Sequence, residues 1–149
     1  MTTEMARHKM DGKYEDIQVG ATESFTRLVD DEAIDSFSDS IQSNHPIHSD
    51  GEWVRANSSY QDRIAHGVML TAYMSRPLID LMVVRMGING VLISTASRYL
   101  KPVLCGDTIT TRVRLVEKMD ARKRLRFEVE MSNQRGELVM VGEAVEQCT

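Results

Sequence analysis

The second half of the chain alternates between apolar and polar residues, which is the two-residue period of a strand with one buried face. The alternation is clearest in residues 108–119, where small or apolar side chains fall on one side and Arg112 and Arg114 on the other. Short polar turns, the first at residues 105–107, separate the alternating segments. The strands predicted from this pattern are 91–103, 108–119, 125–132 and 138–145.

The first half combines a strand-like segment, a short helix and a long polar connection. Residues 14–29 carry spaced apolar side chains around a turn at Gly20, which is typical of a strand. The acidic residues 30–32 suit the amino end of a helix, and Pro46 predicts that this helix ends near residues 42–43. Residues 43–64 are polar and predict an irregular connection with a short helix around 52–57. A connection of this length is usually functional.

Residues 64–86 are apolar on nearly every side, which predicts a buried helix about 30 Å long. Pro77 predicts a kink or break inside it, and Gly87 predicts its end. The predicted strands have polar outer faces, so their other face needs an apolar cover, and only this helix is large enough. The pattern therefore predicts an α+β hot-dog fold, which is a curved antiparallel sheet wrapped around one long central helix.

Charge and composition restrict the class of protein. The formal net charge is −4 and no basic run is present, so we expect neither a nucleic-acid partner nor an anionic membrane partner. Cys105 and Cys148 are too few and too irregular for a disulfide framework, which favours a reduced, cytoplasmic protein. No signal peptide or membrane span is expected from the apolar runs. We predict a flexible tail over residues 1–13 and one domain over residues 14–149.

Several motifs, in order along the chain, resemble the MaoC-like dehydratases and (R)-specific enoyl-CoA hydratases. Residues 45–50, His-Pro-Ile-His-Ser-Asp, are similar to the family's hydratase motif, Asp-x-Asn-Pro-x-His followed by x-Asp. Residues 64–70, Ile-Ala-His-Gly-Val-Met-Leu, are similar to the family's helix start. Residues 99–108 are similar to its Phe-x-x-Pro-Val-x-x-Gly-Asp strand and turn, and residues 14–20 to its opening strand. Together the four matches span nearly the whole chain.

The resemblance implies an enoyl-thioester hydratase or 3-hydroxyacyl-thioester dehydratase. Its reaction is the reversible syn addition of water to a trans-2-enoyl thioester, carried by CoA or an acyl carrier. In this family an Asp and a His share the proton transfers, and a backbone N–H at the start of the buried helix holds the thioester oxygen. The resemblance implies no cofactor. No metal is expected either, because the histidines lack acidic or cysteine partners at ligand spacing.

The family's functional positions can be carried over to individual residues of this chain. His48 falls on the catalytic His, and Gly67 falls on the glycine whose N–H holds the thioester oxygen. His66 lies next to that glycine and is taken with it as a substrate-binding residue. Ser75, two helical turns further on, falls where the family often has a polar residue near the substrate.

One half of the family's acid/base pair is missing. The catalytic Asp lies five residues before the His, and that position is Ser43 here. The family's Asn before the proline is His45 here. A serine hydroxyl is a poor general base although it can orient water, whereas a histidine changes charge near neutral pH. Either Ser43 or His45 could replace the carboxylate, and both are candidate catalytic residues beside His48.

The missing carboxylate keeps other functions open. The chain could be a non-catalytic or partner-dependent hot-dog subunit, since some relatives work as heteromers in which the other subunit supplies the catalytic residues. It could also be a thioesterase or a specialised biosynthetic dehydratase, because one fold hosts several chemistries. Hot-dog sheets commonly pair edge to edge, so we expect at least a homodimer with the active site at the subunit contact.

Overall fold

A computed structural model describes residues 9–149 and contains one five-stranded antiparallel sheet in the order β1-β3-β4-β5-β2. The predicted flexible tail lies mostly outside the described residues. Of residues 9–13, Gly12 donates its N–H to the Gly87 carbonyl over 3.2 Å. The strands are β1 (Thr22–Leu28), β2 (Gly90–Tyr99), β3 (Thr108–Met119), β4 (Arg124–Asn133) and β5 (Leu138–Cys148). The helices before the central one are α1 (Asp31–Ser40), α2 (Pro46–Ser49) and α3 (Gly51–Asn57).

The alternation in β3 and β4 sorts their side chains between two faces, as predicted. Val113 on β3 pairs with Val129 on β4, and both point into the core. Arg112 and Arg114 point outward, each directly opposite a glutamate of β4. Opposite charges at such cross-strand positions favour this register, while the buried apolar face fixes it.

The start of the chain differs from the predicted strand over residues 14–29. Tyr14–Asp16 form a 3-10 turn, and β1 begins only at Thr22. Tyr14 is buried, and its hydroxyl donates to Asp120 over 3.0 Å. This contact anchors the segment against the β3–β4 turn instead of along the sheet edge. Gly20, with a φ of 98°, then turns the chain into β1.

The central helix spans residues 67–85 in three parts, α4 (Gly67–Tyr73), α5 (Ser75–Ile79) and a π-helical segment (Asp80–Arg85). It begins three residues later than predicted, because Ile64 forms a β-bridge with Leu104. The predicted break falls at Met74, one turn before the proline. Pro77 has no N–H for the carbonyl of Tyr73, and its ring crowds that carbonyl.

The prediction that this helix is buried all round is wrong for the single chain. Met69, Leu78 and Leu81 are buried against the sheet, whereas Val68 is 60% and Ile79 41% exposed. The open stripe, as we call it, consists of Val68, Ala72, Ser75 and Ile79, which share one helical face. The helix is long and apolar enough for a membrane span by length and composition, a test that the core helix of a soluble protein also passes.

The fold is an α+β hot-dog fold, in which the curved sheet wraps one side of the central helix. The other side leaves the open stripe uncovered beside the free edge of β2. This edge strand also exposes apolar side chains, with Val91 54%, Leu92 48% and Ile93 45% accessible to solvent. An exposed apolar edge strand of this length is a surface that natural proteins usually cover.

Candidate active site

The loop that carries the candidate catalytic residues begins where α1 ends. Gln42 adopts a left-handed conformation with a φ of 53°, and the N–H of Ser43 donates to the Ser38 carbonyl over 3.1 Å. This is the hydrogen bond of a Schellman motif, which ends a helix and reverses the chain. Ser43 therefore occupies an exposed helix-end position.

His45 caps the short helix α2. Its ring Nδ1 accepts the N–H of Ile47 over 3.1 Å, which is the hydrogen bond that a capping Asn oxygen would accept. Pro46 follows at the first helical position, where its missing N–H costs nothing. The ring of His45 is exposed and meets Trp53 edge-on, with 5.9 Å between ring centroids. Its centroid lies 6.3 Å from that of His48.

The imidazole of His48 is fixed from two directions. Its Nδ1 lies 2.7 Å from the carbonyl oxygen of Ile64. Because a carbonyl can only accept, Nδ1 carries the proton, and Nε2 of the neutral ring keeps a lone pair. The ring also stacks on that of His66, with centroids 3.7 Å apart and planes 21° from parallel. The orientation of His48 is therefore determined by the residues that precede the central helix.

His66 is buried, with 6% of its surface exposed, and its Nδ1 has no hydrogen-bond partner in the described structure. Its Nε2 lies 3.4 Å from the Ser38 hydroxyl, and Phe37 packs against the ring at 5.2 Å. Burial lowers the pKa of His66 below its usual value, and the nearby His48 lowers it further. Both effects favour the uncharged form of the His66 ring, on which the His48 ring stacks.

Gly67 begins the central helix, directly after His66. The first N–H groups of a helix have no partner within it, and together with the helix dipole they suit a partly negative oxygen. A Cβ at Gly67 would lie only 3.1–3.3 Å from the ring of Tyr99 on β2. The Tyr99 hydroxyl hydrogen-bonds Thr71 over 2.5 Å. Tyr99 thus covers one side of the first helical turn, and the glycine allows this approach.

The structure brings only some of the predicted site residues together. His48 stacks on His66, which Gly67 follows directly in the chain, and the His45 ring lies next to that of His48. Ser75 is exposed on the open stripe, about 12 Å along the helix from Gly67 at 1.5 Å per residue. The roles predicted for Ser43, His45, His48, His66, Gly67 and Ser75 stay predictions.

Sequence reasoning missed two residues of this region. Tyr99 was noticed only as part of a motif, where the family pattern has Phe. Arg63 belongs to the polar connection of residues 43–64 and carries no predicted role. Its side chain is nevertheless only 9% exposed and donates to the His48 carbonyl. The one signal that could have identified Arg63 was its position as a charged residue directly before the apolar run of residues 64–86. Among residues 9–149, no group of three or more potential ligands is arranged to hold a metal.

Comparison with known proteins agrees with this fold and identifies the family. The sequence pattern of the MaoC like domain matches residues 17–135. An (R)-specific enoyl-CoA hydratase from Rhodospirillum rubrum is 24% identical over 131 residues, which cover 88% of each chain. The solved structure of R-hydratase PhaJ1 from Pseudomonas aeruginosa superposes with a TM-score of 0.81 at 24% identity, covering 91% of this chain and 84% of that one. An (R)-hydratase from A. caviae involved in PHA biosynthesis gives 0.80 at 20% identity, covering 91% and 99%.

Proposed function

Because this chain belongs to the MaoC-like domain family, we propose that it is an enoyl-thioester hydratase acting reversibly as a 3-hydroxyacyl-thioester dehydratase. The observation that carries the proposal is the imidazole of His48, which keeps a lone pair on Nε2 and is fixed beside the amino end of the central helix. The R. rubrum relative has this activity by name. The protein is then a soluble, cytoplasmic enzyme whose substrate is an acyl thioester.

The proposed reaction needs one oxygen-binding group and one base. The Gly67 N–H donates to the thioester carbonyl oxygen, which becomes negative as water adds. His48 Nε2 removes a proton from water while the oxygen bonds to C3 of the trans-2-enoyl chain. The C2–C3 π electrons move toward the carbonyl and form an enolate. Protonation of C2 from the imidazolium then regenerates the thioester and the neutral ring.

The second proton-transfer group is the atypical part of this site. In syn addition, water and the C2 proton arrive on the same face, so a single imidazole can take the proton from water and deliver it to C2. His48 performs both steps in this proposal, and Ser43 only orients water. His45 stabilises α2 through its Nδ1, which is already engaged as an acceptor.

The direct test follows the loss of absorbance of the conjugated thioester with crotonyl-CoA and with longer, branched and aromatic enoyl-CoAs. Wild-type turnover should fall by about 10²–10⁴ in His48→Ala, the usual contribution of a general acid/base. His45→Asn, which restores the capping residue of the family, should retain activity within about threefold, because an Asn oxygen makes the same cap. The absence of turnover on every one of these thioesters refutes the proposal.

Restoring the carboxylate tests the role of the missing Asp. We expect Ser43→Asp to raise hydration by about 10-fold or more, because a carboxylate accepts the proton of water far better than a hydroxyl. Ser43→Asn, which has the size of Asp without its charge, is the matched control and should not raise the rate. Equal rates in all three proteins would show that position 43 takes no part in the chemistry.

A partner-dependent subunit is the second candidate, and the uncovered surface of the single chain favours it. The edge strand β2 and the open stripe both expose apolar side chains, and we propose that a second copy of the chain covers them. Light scattering at micromolar concentration should give at least a dimer. If the purified homo-oligomer is inactive but gains activity with a co-expressed family member, the chain is one half of a heteromeric enzyme.

Other thioester chemistry on the same scaffold is separated by its product. A thioesterase releases free CoA, which a thiol reagent detects, whereas a hydratase leaves the thioester intact. A specialised dehydratase would act only on the hydroxyacyl thioester of its own pathway. We expect no CoA release during turnover of enoyl-CoA substrates.

A further inference from the structure

The guanidinium of Arg63 is itself buried and lies at the centre of an ionic network next to the site. Its side chain is only 9% exposed. One nitrogen donates to Asp35 over 2.6 Å and also to the carbonyl oxygen of His48 over 3.2 Å. The other terminal nitrogen donates to Asp31. Through these bonds the Arg63 side chain connects three parts of the chain: α1, the short helix α2 that carries His48, and the segment before the central helix.

The exposure of the two carboxylates indicates that the buried arginine, and not the aspartates, holds this arrangement together. Asp31 and Asp35 are one turn apart and therefore share a face of α1. Their side chains are 79% and 56% exposed, so neither needs a partner for its own solvation. The hydrogen bond that Arg63 donates to Asp35, together with the one it donates to Asp31, raises the pKa of Arg63 despite its burial. The fork of the guanidinium reaches both carboxylates and still has an N–H for His48.

Arg63 begins a run of four residues, of which Arg63, Ile64 and His66 contact the short helix α2 that carries His48. The Ile64 N–H donates to the Ile47 carbonyl over 3.1 Å, and the Ile64 carbonyl accepts from His48 Nδ1. His66 contributes the stacked ring. The run is itself anchored, because the Arg63 carbonyl accepts the N–H of Cys105 over 2.9 Å. Within this run, Arg63 thus holds the backbone carbonyl of His48, and Ile64 and His66 hold its ring.

We propose that Arg63 is a positioning residue for His48, with Asp31 and Asp35 fixing the guanidinium against the His48 carbonyl. The proposal rests on the function proposed above, because it concerns the geometry of the base. Without the guanidinium, the carbonyl of His48 loses its only side-chain donor within residues 9–149, and the ionic connection from α1 to His48 is lost. The imidazole then moves relative to Gly67, and a displacement of about 1 Å can cost about 100-fold in rate.

The test compares Arg63→Lys with the wild type. Lysine keeps the charge but not the planar fork, so it cannot hold both carboxylates and the carbonyl together. We expect kcat to fall by about 10–100-fold while KM changes less than about threefold. Asp35→Asn should give a smaller fall, because Asp31 still holds the guanidinium. Arg55→Lys is the matched control, since Arg55 is exposed and its one side-chain hydrogen bond among residues 9–149 is to the Gln61 carbonyl.

A second measurement reads the imidazole directly and requires no turnover. In protein with ¹⁵N-labelled histidine, the His48 Nδ1–H proton should be visible by NMR, since its bond to Ile64 protects it from exchange. Its assignment follows from its absence in His48→Ala. In Arg63→Lys this signal should weaken or disappear while circular dichroism shows a folded protein. A folded Arg63→Lys that keeps both the signal and a kcat within twofold of wild type overturns the proposal. If the wild type proves inactive, the NMR result still decides whether Arg63 positions His48.

Discussion

The two ends of the central helix differ in whether their polar groups have hydrogen-bond partners. At the amino end, the His66 Nδ1 and the N–H groups of Gly67 and Val68 have no hydrogen-bond partner among residues 9–149. At the carboxyl end, Met86 donates its N–H to the Leu81 carbonyl over 3.0 Å and Ile88 donates to the Met82 carbonyl over 2.9 Å. Gly87, with a φ of 63°, completes that ending.

This difference shows which end is available for chemistry. A helix end whose backbone groups are satisfied contributes to stability and offers nothing to a ligand. The amino end instead has unpaired donors, a favourable dipole and two stacked imidazoles, all next to the polar loop. Changes at the carboxyl end should therefore affect folding, whereas changes at the amino end should affect turnover.

The largest expected effect is on stability at the carboxyl end. Leu81→Ala should lower the free energy of unfolding by about 2–5 kcal/mol, because Leu81 is 1% exposed and its loss leaves a cavity. Val84→Ala, at a position that is 40% exposed, should change it by less than about 1 kcal/mol. Denaturant unfolding measures both. The distinction between the two helix ends is wrong if the kcat of the folded Leu81→Ala protein drops as far as that of His48→Ala.

The next largest effect is on turnover at the amino end. Gly67→Ala should lower kcat/KM about 10-fold, or about 1.4 kcal/mol, because the new methyl group displaces the Tyr99 ring from the first helical turn. Gly90→Ala at the other end is the matched change, since its methyl would meet the flexible end of Met82 at 2.5 Å. Gly90→Ala should lower thermal stability and leave kcat/KM within about twofold. Equal losses of kcat/KM in the two variants would remove the distinction between the ends.

The smallest effect concerns a buried carboxyl at the carboxyl end. Glu146 is 8% exposed on the inner face of β5, and burial raises its pKa above the usual value. The folded state therefore binds a proton more tightly than the unfolded state, and stability is lost as the pH rises above the ordinary pKa of a glutamate. Glu146→Gln should stabilise the protein by about 0.5–2 kcal/mol at pH 8 and hardly at pH 4. Urea unfolding at both pH values measures this, and an equal gain at both would exclude the carboxylate as its cause.

Periodicity and short motifs were sufficient for much of the fold and for part of the site. The alternation in β3 and β4 predicted their buried faces, and the apolar run predicted the central helix. The motifs around His48 and Gly67 predicted the two regions that the structure brings together through the His48–His66 stack. The ionic network around Arg63 was not predicted, because its carboxylate partners lie 28 and 32 residues earlier in the chain.

The sequence by itself determined the hot-dog class, the strand pattern, the proline break in the helix and the residue types at the site. Only the tertiary structure decided which face of the helix stays open, that Arg63 meets Asp31 and Asp35 and that Tyr99 lies over Gly67. The reason is that strand and helix periods depend on neighbours within a few residues, so a linear pattern contains them. Which distant side chains meet depends on how the elements pack, and no local spacing records that.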